Sequence, residues 1–147
     1  MAIEKEKLIW MFRTMVRIRR FEECISREFA DGNIPGSVHL YIGEEAVATG
    51  AIAHLKKEDY IMSTHRGHGH LIAKGGETTK MMAELFAKKT GYCLGKGGSM
   101  HIANIDIGIL GAAGIVGSGI PIATGAALSA QMRGTDQVAV AFLAKGL

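Results

Sequence analysis

A chain of 147 residues that is 48% hydrophobic has the length and apolar content of one globular domain, which excludes an intrinsically disordered segment. Its net charge of +3 is dispersed, and the densest basic patch, Arg17, Arg19 and Arg20, has no aromatic interleaving or nucleic-acid motif beside it, so no nucleic-acid partner is expected. No apolar run approaches the roughly 20 residues of a membrane span, MAIEKEKLIW has no signal-peptide core, and Cys24 and Cys93 lack metal or redox spacing, so the expectation is a cytoplasmic protein with no membrane partner.

From Glu4 to Ala30, Leu8, Met11, Met15, Ile18, Ile25 and Phe29 recur at the spacing of one helix face, interrupted at Glu22. This predicts a long amphipathic helix that stops at Asp31-Gly32-Asn33. The loop IPGSVHLYIG follows and carries His39. A second helix is predicted from Glu44 to Lys57, acidic at its start and basic at its end, with a small-residue body, AVATGAIA, that implies close neighbours on several sides. Tyr60-Ile61-Met62-Ser63 reads as a short buried strand and THRGHGHLIAKGG as a flexible turn-rich segment. Thr78 to Lys89 reads as a helix with Met81/Leu85 and Met82/Phe86 paired at i, i+4. Pro121 suits the first turn of a small-residue helix from Ile122 to Arg133, and VAVAF at 138–142 has the continuous apolar character of a parallel strand buried on both faces. Helices alternating with short apolar strands give an α/β class, a parallel sheet flanked by helices. Only two strands are visible, so residues 1–147 read as the amino-terminal half of a single domain.

Between these elements, residues 91–119 hold nine glycines, Gly91, Gly95, Gly97, Gly98, Gly108, Gly111, Gly114, Gly117 and Gly119. Each costs roughly 1 kcal/mol inside a helix, so the stretch is expected to be loop. Such a loop lets successive amides face an anion and makes a candidate cofactor cradle; a ligand-free surface connection is the other reading. Arg66, in the His- and Gly-rich turn after the first strand, is suited to hold a phosphate, or else to pair with a surface carboxylate. His39, His54, His65, His68, His70 and His101 invite a metal reading, but HExxH is absent and glycines separate the clustered ones, so none is assigned as a metal ligand. GKGGS at 95–99 is not a Walker A loop, and in GSGIPIATG the third glycine of a dinucleotide fingerprint falls on Ile122. The eight methionines read as core filling.

The strings FEECISREFADGNIPGSVHLYIGEEA, STHRGHGHLIAKG, MMAELFAKKTGYCLGKGGSMHIA and GILGAAGIVGSGIPIATGAALSAQMRGTDQVAVAF resemble the amino-terminal part of the alpha subunit of thiamine-diphosphate-dependent 2-oxo acid dehydrogenases, the acetoin type first and the pyruvate type next. The resemblance covers nearly the whole chain up to Phe142 and implies a thiamine-diphosphate-binding fold. It implies that His65 and Arg66 lie at the cofactor diphosphate, that the backbone at Gly114 and Val116 holds the aminopyrimidine, and that His39 serves substrate binding and proton transfer. Its cofactors are thiamine diphosphate and Mg²⁺. Its partners are a dehydrogenase beta subunit, in an α2β2 heterotetramer, and a lipoyl-bearing acyltransferase that accepts the acyl or aldehyde unit.

The pattern departs at the end. Where the family continues AFFGDGA with Mg²⁺ ligands, this chain reads AFLAKGL, and Lys145 stands in place of the aspartate. The expectation is a truncated oxidoreductase fragment, inactive alone. The alternative is a non-catalytic subunit-interaction fragment that docks through its first helix and the helix at 122–133.

Overall fold

A computed structural model describes residues 3–143. The Lys145 position lies outside these residues. Helix α1 (Lys5–Ala30) buries Thr14, Ile18, Phe21, Glu22 and Ile25, one face at three- and four-residue intervals. Leu8 and Phe29, expected on that face, are exposed, because the helices packed against α1 cover only its middle.

Helix α2 spans Glu45–Ile52, shorter than the predicted Glu44–Lys57. Its end tightens into i→i+3 bonds, His54 N–H to Ala51 and Leu55 N–H to Ile52, and the buried Asp59 then accepts the Lys56 N–H at 2.6 Å. Strand β1 (Tyr60–Thr64) follows as expected. The flexible segment predicted after it is instead helical: α3 (His68–Ala73) is buried along its whole length. Two histidines and a glycine disguised it, since a histidine can occupy a core when its ring nitrogens find partners.

Helix α4 spans Thr78–Leu85 and stops short of the predicted Lys89. Ala87 adopts a left-handed φ of 53°, and the Lys88 N–H reaches back to the Ala83 carbonyl at 2.8 Å, closing the helix before its polar tail. The stretch expected to be loop throughout contains a 3-10 turn at Ile105–Ile107 and a strand, β2 (Ile109–Ala113). Strand pairing uses backbone groups, so the glycine and alanines of ILGAA pair with β1 as well as Ile109 does. Helix α5 (Gly119–Met132) begins earlier than Ile122 and carries Pro121 in its first turn, and β3 (Ala139–Ala141) closes the order.

Among the described residues the sheet has three strands where two were visible, ordered β2-β1-β3, all parallel. Ile61 pairs with Ile109 and with Val140, and the β1–β2 register shifts between Ile61 and Met62. The α/β class with a parallel sheet flanked by helices therefore holds. One correction concerns β3, expected to be buried on both faces: its residues are only partly covered, and it is one of the two edge strands among the described residues. The core joins Ile18 and Ile25 of α1, Ile52 of α2, Ile61 of β1, Leu71 of α3, Leu85 of α4 and Ile109 of β2. Met81 is fully buried as core filling, but Met132 is 79% exposed and fills nothing. Phe12 and Val16 on α1, with Ile120, Ile122 and Leu128 on α5, leave further apolar faces uncovered by this chain. Among the described residues no helix is long and apolar enough to cross a membrane.

Candidate functional site

All three strands run the same way, so their carboxyl ends share one edge. β1 delivers His65 and Arg66 there, β2 delivers Gly114 to Val116, and β3 delivers Phe142. Because β2 and β3 flank β1 on opposite sides, this edge is the switch point at which parallel α/β sheets open a crevice for ligands. A cavity of about 460 Å³ occupies it, with Tyr41, Thr64, His65, Arg66, His70 and Phe142 in its wall. A much smaller hollow adjoins, lined by Ser63, Thr64, His65, Val116, Gly117 and Phe142 among others. Thr64, His65 and Phe142 line both.

The Arg66 guanidinium lines the larger cavity and donates through Nη1 to the Leu40 carbonyl, which ties the loop bearing His39 to the end of β1. The His39 ring meets the His65 ring edge-on, with centroids 5.1 Å apart. Burial first, then the positive charge available at His65, Arg66 and His68, holds His39 below the ordinary histidine range. His39, His65 and Arg66 thus converge. Val116 lines the small hollow together with His65 and is more than half exposed. Gly114 lines neither space; a Cβ there would rest 3.4 Å from His101 Cε1, an ordinary contact, so nothing within the chain itself demands glycine at that position.

Sequence reasoning missed the inner wall. His70 shares a 2.7 Å hydrogen bond between its Nδ1 and Ser63 Oγ and a 3.1 Å one between its Nε2 and the Tyr41 hydroxyl, and its ring lies 3.8 Å from that of Phe142. Burial lowers its pKa to about 3 and pushes the Tyr41 phenol up, so both stay neutral at ordinary pH. This inner part of the wall is polar but uncharged, and among the described residues that line the cavity Arg66 is the permanent cation and Glu44 the carboxylate.

The glycine loop also differs from expectation. Its amides do face an anion, but the anion is internal: the fully buried Glu84 carboxylate accepts the N–H groups of Cys93, Gly95, Gly97 and Gly98 at 2.7–3.2 Å. Two glycines are needed for that approach. A Cβ on Gly91 would lie 2.5 Å from Glu84 Cα, and Gly95 combines φ 76° with a Cβ position 2.4 Å from the Ala87 carbonyl carbon. The available signal was Glu84 itself, a carboxylate at helical spacing between Met81 and Leu85 on the buried face.

Comparison with known proteins agrees with this arrangement. The chain is 55% identical over 146 residues to the alpha subunit of acetoin:2,6-dichlorophenolindophenol oxidoreductase of Bacillus subtilis, covering 99% of this chain and 44% of that protein. The subunit of the same name from Cupriavidus necator is 51% identical with the same coverage. A chloroplastic pyruvate dehydrogenase E1 component subunit alpha of Arabidopsis thaliana is 41% identical over 152 residues, covering 99% of this chain and 36% of the relative. The chain thus spans less than half the length of these curated relatives. Residues 13–146 match the model of the dehydrogenase E1 component, and the chain belongs to that family.

Proposed function

We propose that this chain forms the diphosphate-facing part of a thiamine-diphosphate site in the alpha subunit of an acetoin- or pyruvate-type dehydrogenase. The observation that carries the reading is the convergence of Arg66, His65 and His39 on the carboxyl edge of a parallel sheet, beside a cavity of about 460 Å³. The residues present fit the group. Arg66 commits only Nη1 to the Leu40 carbonyl, which leaves most of its donor fork for a diphosphate, with His65 beside it. The backbone from Gly114 to Val116, at the next strand end, would take the aminopyrimidine.

When bound, thiamine diphosphate supplies a carbon nucleophile for a carbonyl substrate. His39, held neutral near physiological pH, accepts a hydrogen bond from substrate or moves a proton at an imidazole nitrogen; its Nδ1 is buried and has no partner among the described residues. Tyr41, His70 and Phe142 form an uncharged wall that limits water. Mg²⁺ enters the proposal with the diphosphate, and no residue of this chain is assigned to it. A beta subunit in an α2β2 assembly and a lipoyl-bearing acyltransferase complete the proposed system, placed in the cytoplasm.

The exposed apolar faces of α1 and α5, with Phe12 64% exposed, support a second reading, a fragment that only docks on partner subunits. Calorimetric titration of the 147-residue chain with thiamine diphosphate and Mg²⁺, alone and mixed with a beta subunit, separates the two. Saturable cofactor binding that Arg66→Ala weakens about 100-fold, or ~2.7 kcal/mol, supports the site. Arg66→Lys is expected to restore little of it, since a point charge lacks the guanidinium fork. Co-elution with the beta subunit without any cofactor binding favours docking, and unchanged affinity in Arg66→Ala removes Arg66 from the site.

A further inference from the structure

Behind His39 runs a buried chain of hydrogen bonds that the proposed cofactor site does not use. The Nδ1–H of His68 donates to Glu22 Oε1 at 2.9 Å, and Nε2 of the same ring lies 3.2 Å from Ser99 Oγ. Ser99 Oγ in turn accepts the backbone N–H of His39 at 3.0 Å. Glu22 and His68 are 0% exposed and Ser99 is 5% exposed. Three distant segments, α1, α3 and the glycine-rich stretch, are thereby joined to the loop that presents the histidine.

We propose that Glu22, His68 and Ser99 are positioning residues for His39, fixing its main chain so that its ring stands against His65 at the mouth of the cavity. A buried carboxylate–imidazole pair is a poor way to gain stability, because apolar groups of similar volume serve as well or better; what it supplies is direction. The His68 ring cannot rotate freely, having both nitrogens engaged and the Phe21 ring edge-on at 6.0 Å. Its Nε2 therefore holds the Ser99 hydroxyl at one angle, and the Ser99 oxygen receives the His39 N–H from the loop. From the other side Arg66 binds the carbonyl of the next residue, Leu40. The backbone of a segment without regular structure is thus pinned in front and behind. Ser99 resembles the hydroxyl of a Ser-His-Glu hydrolase in its partners, but it is buried and already accepts an amide, so its place here is a strut and not a nucleophile.

The functional weight of this relay rests on the reading of His39 as a substrate-side residue, but its test needs no cofactor. In the nitrogen-15-labelled 147-residue chain, Ser99→Ala is expected to speed hydrogen exchange of the His39 amide about tenfold. It is also expected to shift the His39 imidazole nitrogen resonances while the β1 amides keep their protection. Ser99→Thr, which keeps the oxygen, should restore both signals. Glu22→Gln, nearly isosteric and two bonds removed, should speed the His39 amide about threefold through its weaker hold on His68. Unchanged His39 exchange and resonances in Ser99→Ala with β1 intact overturn the proposal. If Ser99→Ala loses the fold, Glu22→Gln decides on the same criterion. Failure of the wild-type chain to bind thiamine diphosphate sinks the cofactor reading and leaves these signals untouched, so the two failures are told apart.

Discussion

Glu84→Ala is expected to lower the unfolding free energy by about 4 kcal/mol and to release the loop from Cys93 to Gly98 to proteolysis at Lys96. The carboxylate is fully buried and accepts four backbone N–H groups at 2.7–3.2 Å. Removing it leaves four partly buried amide donors without their acceptor, each worth about 1 kcal/mol when left unpaired, and opens a cavity beneath α4. The loop cannot re-form its bonds elsewhere at low cost, since Leu94 already sits at φ 58°, a conformation tolerated only because the cradle over-determines it. Glu84→Gln separates charge from shape. Its carbonyl oxygen can accept two of the amides, but its NH₂ then faces the other two donors, so about 2–3 kcal/mol is still lost. Urea titrations followed by circular dichroism, with tryptic cleavage at Lys96 timed in parallel, check both. Unfolding free energies within about 0.5 kcal/mol of the parent for both variants would mean that the carboxylate does not organise the loop.

Glu84 also shows what the sequence did and did not disclose. Hydrophobic periodicity revealed α1, whereas β1 is legible only as a short apolar run and α5 through Pro121 and its small-residue body. It could not reveal α3, which opens on two histidines and a glycine, or β2, whose two large side chains, Ile109 and Leu110, are followed only by glycine and alanine. The same difficulty hid the polar interior. Glu22 looked like an interruption of the α1 stripe and is in fact part of it, buried beside Ile18 and Ile25 because His68 supplies its partner. A carboxylate at a core position of a helix is the readable sign of a distant donor, although the sequence cannot say which donor it meets. At the cavity the motif resemblance supplied His39, His65 and Arg66, which the structure brings together. Tyr41, His70 and Phe142 carry no motif of their own; they reach the same wall only through the order of strands and the packing of α3.

Acidification is expected to destabilise the protein before its carboxylates titrate, through His70. In the unfolded chain this imidazole has its ordinary pKa of 6.5, and in the fold burial pulls it down to about 3. The native state therefore binds the proton less readily than the unfolded state throughout that interval. Stability due to His70 is fully present above pH 6.5 and is lost as pH falls toward 3, at a slope approaching 1.4 kcal/mol per pH unit. Summed over the interval the loss is several kcal/mol, comparable with the total stability of a small domain. Burial raises the pKa of Glu45, but the Arg19 side chain and the backbone N–H groups of Glu45 and Gly43 together outweigh it and lower the pKa, so Glu45 adds a loss of the same sign only below about 4.5, which leaves pH 5–6.5 as the window in which His70 dominates. His39 is also lowered but far more open to solvent, and its slope in that window is smaller. Urea midpoints at pH 7, 6 and 5 should fall steadily in the parent chain. In His70→Gln, which keeps a neutral side chain able to meet Ser63 and Tyr41, most of that slope should vanish even if the variant is less stable at pH 7. An equal slope in both proteins would show that the ring is solvated in the native state. A lost slope means that His70 and Tyr41 are kept uncharged by the fold, which leaves Arg66 as the fixed positive charge among the described lining residues that an anionic ligand would meet.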